Sequence, residues 1–463
     1  WLSARIPGRP SCRDLPMFDP VNESSFRLDV AGLSDPFEVL AFTGSEALNE
    51  PFAFEIDVLI DDPQLDLAGL LYRSAFLCFG PSGEGVHGQL QSLVQHEHGH
   101  GSRLSRIRLG AKLACLDLRI SQRIFSGRSV PQIIEQVLRE HGIVGAQRRF
   151  ELRGDYPART FCTQYRESDL QLLQRLCTQA GIHYFFEHTH DRHCLVFGDD
   201  PAHFPLTEAA LYQGEQDGKS TCPAVHHWQL HEAMQAGSQG LRQATNAEGR
   251  SDLAALRSGH WLRLVGHPFP ECNRQWLLTR IEHSADLSLD LPYANRLFAA
   301  AQLPSSAPSR LRMHSLQRAW VVTVDEPQPD RFRPVAVQFD WLYQGEGAAP
   351  SHCWLPLAPA LAEAPLQALG DGVEVVVSFF EGDPDQPMIS GILQSSVATA
   401  QISDAPTPPL PESLASEGLQ QMLTSGEPLL LLCLIPGGGS FNHCTEAVCS
   451  CRLVTTLEQS SAR

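Results

Sequence analysis

Apolar and polar positions alternate in short runs over most of the first third of the chain. From Phe26 to Ile124 the runs are Phe26–Val30, Phe37–Phe42, Phe52–Leu59, Ala75–Phe79, Gly88–Val94, Leu104–Leu109 and Cys115–Ile120, broken by Gly, Pro, Asn and Asp. Period-two runs at roughly ten-residue spacing predict the strands of a sandwich or barrel. At Ser129-Val130-Pro131 the period lengthens. Ile133, Ile134, Val137 and Leu138 form a helical stripe, with Ser129 as cap and Gly142 as stop. A second helix is predicted over 168–180, where Leu170, Leu172, Leu173 and Leu176 are apolar and Gly181 closes the end. The strand His183–Glu187 follows at once. Strands resume after Val225 and include His260–Val265 and Gln275–Ile281.

The Ser/Pro-rich stretch Leu303–Leu311 reads as a linker. Beyond it, five short strands between Val321 and Leu393 predict a small β-barrel of oligonucleotide/oligosaccharide-binding (OB) type. Its last hairpin is the most informative stretch. Val373, Val375, Val377 and Phe379 alternate, Gly382–Pro387 (GDPDQP) must turn, and Met388–Leu393 returns as the partner strand. The two faces of the outgoing strand are both apolar, with Val376 and Phe380 opposite the first set. A solvated antiparallel strand shows a polar outer face, so Val376 and Phe380 are candidates for an interface between subunits. Gln394–Arg463 opens with a Pro/Ser/Ala-rich tether containing Ala405–Pro411 and ends in a Cys-bearing tail.

Composition narrows the class. At 463 residues with 43% hydrophobic content, two to four domains with real cores are expected. No apolar run approaches the ~18 residues of a membrane-crossing helix; the longest candidate is Leu429–Ile435. Residues 1–16 are basic, carry Pro7, Pro10 and Pro16, and have no apolar core, so no signal peptide is expected there. Met17 opens the first well-patterned segment. A net charge of −18 argues against nucleic acid or anionic membrane as the main partner. Most of the 13 cysteines, such as Cys78, Cys115, Cys177 and Cys353, stand singly inside apolar runs. That is the habit of buried, reduced thiols in a chain folded in a cytoplasm.

Several segments then carry a family resemblance. They are Leu48–Phe54 (LNEPFAF), Arg123–Gly142 (RIFSGRSVPQIIEQVLREHG) and Gln164–Phe186 (QYRESDLQLLQRLCTQAGIHYFF). Gly259–Pro268, Asn273–Ile281, Gln338–Trp341, Ser351–Pro356 and Phe379–Gly391 follow in the matching order. From about Met17 to Leu393 the chain resembles VgrG, the valine-glycine repeat spike family of bacterial type VI secretion systems, itself similar to phage baseplate hubs and tail spikes. The resemblance implies a mainly β fold: a tail-hub-like domain over 18–302 with an α/β insertion at about 129–224, and an OB-fold spike base over 316–395. Residues 1–17 would be an extension, 303–315 a linker, and 396–463 a Pro-rich linker with the Cys-bearing tail. It also implies a non-enzymatic homotrimer on a tube of stacked hexamers, with tip-capping and effector proteins as further partners and no cofactor. Assembly would be cytoplasmic, followed by export through the secretion system. Glu167 and Asp169 would orient a helix on its sheet and take no part in catalysis.

The pattern also departs from the family. Asp330-Arg331-Phe332-Arg333-Pro334-Val335 stands where a glycine and a basic pair enter the second OB strand, and Ala358–Leu369 replaces a Trp/Gly-rich stretch. After Leu393 the long β needle is expected to be absent or vestigial, which leaves a working short spike and a truncated remnant both open.

Two constellations offer rival chemistry. His96-Glu97-His98-Gly99-His100 satisfies H-E-x-x-H, a zinc peptidase motif when two His share a helical face. Gly88–Val94 reads as a strand and Gly99 and Gly101 disfavour a helix, so a hairpin loop is the reading preferred. The pair His227 and His231 has the same spacing without the Glu. In the tail, Cys433, His443, Cys444, Cys449 and Cys451 could complete a tetrahedral zinc site. Cys449 and Cys451 are too close for a usual knuckle, and a loosely packed tail with free thiols is preferred. The alternatives to a secretion spike are therefore a prophage tail hub and a spike-borne effector enzyme.

Overall fold

The computed structural model describes residues 26–393 apart from 61–64, 97–102, 215–221, 238–239, 290, 305–311, 330, 344–351 and 362–368. Two compact units result. Among the described residues, one draws on 26–121, 127–159 and 166–304, the other on 122–126, 160–165 and 312–393.

In the first unit the alternating runs close on themselves. Strands β1 (Arg27–Val30), β2 (Phe37–Ala47), β3 (Glu50–Ile60), β4 (Ser74–Cys78), β5 (Gly85–His96) and β6 (Arg103–Gly110) pair in the order β1-β4-β5-β6-β3-β2. β2 returns to β1 through Arg27↔Glu38 and Leu28↔Phe37, giving a six-stranded barrel without a free edge. In β3, Phe52, Phe54, Ile56, Val58 and Ile60 are all buried, while the residues between them are partly exposed. Gly44 on β2 makes room for the Phe54 ring, which occupies the space a side chain at 44 would need.

The predicted strand Cys115–Ile120 is corrected. Lys112–Leu118 is a 3₁₀ helix, and β7 (Ile120–Phe125) begins only at Ile120. Leu113 and Leu116, three residues apart, are both buried. A three-residue turn puts both on one side, whereas a strand would point them apart. Next come α1 (Val130–Glu140), β8 (Arg148–Glu151), β9 (Cys162–Ser168), α2 (Asp169–Ala180), β10 (His183–His188) and β11 (His193–Gly198). β10, β11 and β8 form a three-stranded sheet. Each helix begins in a capping box, from Ser129 with Gln132 and from Ser168 with Gln171, and α2 ends at Gly181 with φ 67°. Helices of 11 and 12 residues are marginal alone. Burial of Ile133, Ile134, Val137, Leu138, Leu172, Leu173 and Leu176, at about 1.5–3 kcal/mol each, supplies what propensity does not.

The second barrel uses β12 (Leu206–Leu211), β13 (Val225–Gly237), β14 (Gly240–Ser251), β15 (Trp261–Val265), β16 (Gln275–Asp286) and β17 (Tyr293–Ala300). Pairing runs β13-β14-β17-β16-β15-β12, and a bridge from Tyr212 to Val225 closes the ring. Trp228, Trp276, Leu262, Leu264 and Leu297 fill it. β16 also pairs with β2, from Arg280↔Ala47 to Asp286↔Ala41, so the two barrels are fused along one shared ladder.

The second unit is a five-stranded barrel of β18 (Gln317–Val321), β19 (Val335–Phe339), β20 (Cys353–Leu355), β21 (Glu374–Phe379) and β22 (Pro387–Leu393), in the order β20-β19-β18-β21-β22. A parallel bridge between Leu357 and Ile389 completes the OB topology. Val375 and Val377 are fully buried, with Val373 and Phe379 packed against them. The turn runs through Glu381 and Gly382, both at positive φ. Its acidic tip is not a free loop: Thr163 donates its N–H to Asp385 (2.7 Å) and its hydroxyl to the Pro384 carbonyl (2.8 Å). Phe161 joins this core with Ile124 beside it.

Candidate functional site

Helix α2 is held by buried charge as well as by leucines. Ser168 accepts the Gln171 N–H (3.2 Å) and donates its hydroxyl to Asp117 (2.7 Å). Asp169, fully buried, accepts from Arg119 Nε at 2.6 Å and lies 2.7 Å from His141 Nε2; Arg119 also meets Glu140. Glu167 and Arg175 form a buried two-point pair at 2.6 and 3.1 Å. Every one of these groups is paired with another protein group.

Asn49, at φ 65° in the β2–β3 turn, ties this region to the first barrel. Its N–H donates to the Tyr184 carbonyl, its Oδ1 accepts the Tyr184 N–H, and its carbonyl accepts from Gln174 Nε2. Only the short polar side chains of Asn or Asp sit easily at that dihedral and still bond locally. The sequence signal, an Asn between two alternating runs, was present in LNEPFAF but its partner was not.

Two clusters had no signal in the sequence. His87, His188 and His193 meet beside the Phe52 ring. The Lys112 N–H donates to His193 Nε2 (3.3 Å), so His193 carries its proton on Nδ1 and donates to His87 Nδ1 at 3.0 Å. Burial lowers all three pKa values, to about 4 for His87 and about 3 for His188 and His193. In the fused barrels, His283 bonds Glu46 (2.8 Å) and the Tyr293 hydroxyl (2.7 Å), all buried. Burial alone would raise the Glu46 pKa. The bond to His283 and the charge of Arg257 outweigh it and hold the carboxyl at about 2. An acid–imidazole–phenol chain of this kind resembles catalytic hardware, but it is sealed from substrate. Among the described residues no group of three or more His, Cys, Asp or Glu could hold a metal.

The chemistry candidates separate as follows. His96 is the last residue of β5, paired with Leu104, so its backbone is extended; Glu97, His98 and His100 lie outside the described residues. His227 and His231 both lie on strand β13, where four residues span ~13 Å, beyond the reach of one ion. His443, Cys444, Cys449 and Cys451, with Cys433, lie outside the described residues. Val376 is half-buried on β21, with Arg318 and Gly391 as its ladder partners. Phe380 lies one residue beyond β21, which stops at Phe379; it opens a 3₁₀ turn and is 54% exposed.

Comparison with known proteins agrees with this geometry. The family model described as phage tail baseplate hub (GPD) matches residues 45–245. The type VI secretion system spike protein VgrG4b of Pseudomonas aeruginosa is 33% identical over 81% of this chain and 57% of its own length. VgrG5 of the same organism is 34% identical over 82% and 58%. The chain thus spans rather more than half the length of these curated relatives. A solved E. coli protein, c3393, is described as a type VI secretion component with structural similarity to T4 tail proteins gp27 and gp5. It superposes with a TM-score of 0.66 at 22% identity, covering 79% of this chain and 99% of that one. By its ordered motifs, its fused hub barrels with an OB barrel, and its relatives, the chain belongs to the VgrG family of type VI secretion spike proteins.

Proposed function

We propose that the chain is a non-enzymatic hub and spike-base subunit that works as a homotrimer at the tip of a contractile secretion machine. The observation that carries this is the union of two edge-sharing barrels and an OB barrel in one family member, with its buried acids and imidazoles paired internally. Such a subunit transmits force: closed barrels resist shear because every strand is bonded on both sides. Residues 18–302 would form the hub and 316–395 the spike base. The ring would seat on a tube of stacked hexamers, carry tip-capping and effector proteins, and leave the cytoplasm when the machine fires. Val376 on the OB barrel wall is the proposed subunit contact. The description of the matching family as a phage baseplate hub supports a second reading, a prophage tail hub, which would use the same surfaces.

Mixing the full chain with purified tube protein tests the seating. Three chains per hexameric ring in the recovered complex are expected. Failure of the two to co-purify at any ratio would contradict it.

A further inference from the structure

We propose that a cleft on the five-stranded barrel unit receives the chain's own proline-rich segment, Ala405–Pro411. The cleft has a volume of about 380 Å³ and is lined by Phe161, Trp354, Pro356, Phe380 and Met388, with Arg333 alongside. Phe380 is a large apolar side chain that this unit leaves exposed. Flat rings, a proline and a pliable methionine suit a ligand that offers proline rings on a fixed ridge. A polyproline II helix does so and loses little conformational freedom when it binds.

The segment APTPPLP contains two overlapping P-x-x-P repeats, Pro406 with Pro409 and Pro408 with Pro411. The cleft carries both Arg333 and Asp385, so the match rests on the proline ridge and not on charge. Reach also favours it. From Met388 in the cleft to Leu393 at the end of β22 is five residues of strand, ~17 Å. A flexible tether of 13 residues, the separation of Leu393 and Pro406 in the sequence, would have a root-mean-square reach of ~20 Å. A tether whose reach matches its span gives the highest effective concentration, of millimolar order, so even a weak aromatic–proline contact is occupied.

Limited digestion of the full chain with a glutamate-specific protease reads this directly, through cleavage after Glu412. The chain as it stands is expected to be cut at least tenfold more slowly than Phe380→Ala or Pro408→Ala/Pro409→Ala. Combining the two changes should add nothing further. The tail substitutions cannot unfold the barrel, so they remain informative if Phe380→Ala does. Equal cleavage rates in all chains would overturn the proposal. So would protection that disappears on dilution, because a second copy would then be the occupant.

Discussion

At the scale of single residues, the molecule is held by charges that have been taken out of water and paired. Glu167→Ala removes the carboxylate facing buried Arg175, and a loss of about 3–5 kcal/mol is expected, as a lower urea midpoint with unchanged slope. A loss under about 1 kcal/mol would mean that the pair behaves as a surface pair. The three histidines set the pH response. Unfolded imidazoles take up protons near pH 6.5, whereas the folded ones resist until about 4 for His87 and about 3 for His188 and His193. Between those values the unfolded chain binds more protons, so stability falls as pH falls, by up to about 1.4 kcal/mol per pH unit per group. Glu46 adds a second acid loss from about 4.5 down to about 2. The melting temperature is expected to drop steadily from pH 7 to pH 4.5, and His193→Gln to flatten that slope. A flat profile in the parent chain would show that the cluster is already protonated or hydrated. None of this was legible beforehand: His87 and His193 are 106 residues apart, and nothing local announces that they meet.

Elements were legible where their determinants are local. The cap Ser168, the leucine stripe and Gly181 all lie within one short stretch, and α2 occupies Asp169–Ala180 as they require. Ser168→Ala is expected to cost about 1–2 kcal/mol, since the hydroxyl serves both the Gln171 N–H and Asp117, and Ser168→Thr to restore most of it. The same locality explains the misses. Lys112–Leu118 looked like a strand because its apolar residues are dense, but Leu113 and Leu116 obey a three-residue period. β21 stops at Phe379, one residue short of Phe380, because the turn at Glu381 and Gly382 depends on backbone dihedrals that composition only hints at. For β5, the alternation predicted a strand, and a strand is found at Gly85–His96. An extended His96 cannot act in a helical H-E-x-x-H pair, so His96→Ala should leave the zinc content of the purified protein unchanged. Loss of one zinc per chain in that variant would reopen the peptidase reading.

For the whole molecule, closure is the unifying feature. Two six-stranded rings share the β2–β16 ladder and a five-stranded ring follows, while the β10-β11-β8 sheet stays open. The order of strands was readable from period and turn residues. Ring closure was not, because it depends on long-range pairs such as Arg27↔Glu38 and Leu357↔Ile389. Nor did composition mark 122–126 and 160–165, which cluster with the five-stranded barrel through Phe161 and Thr163. The central claim is that the chain assembles as a three-fold ring. Light scattering coupled to size exclusion tests this most directly. A mass of three times 51.0 kDa is expected at micromolar concentration, falling to one chain in Val376→Asp while the circular dichroism spectrum is unchanged. A parent chain of 51.0 kDa at every concentration tested would contradict the account.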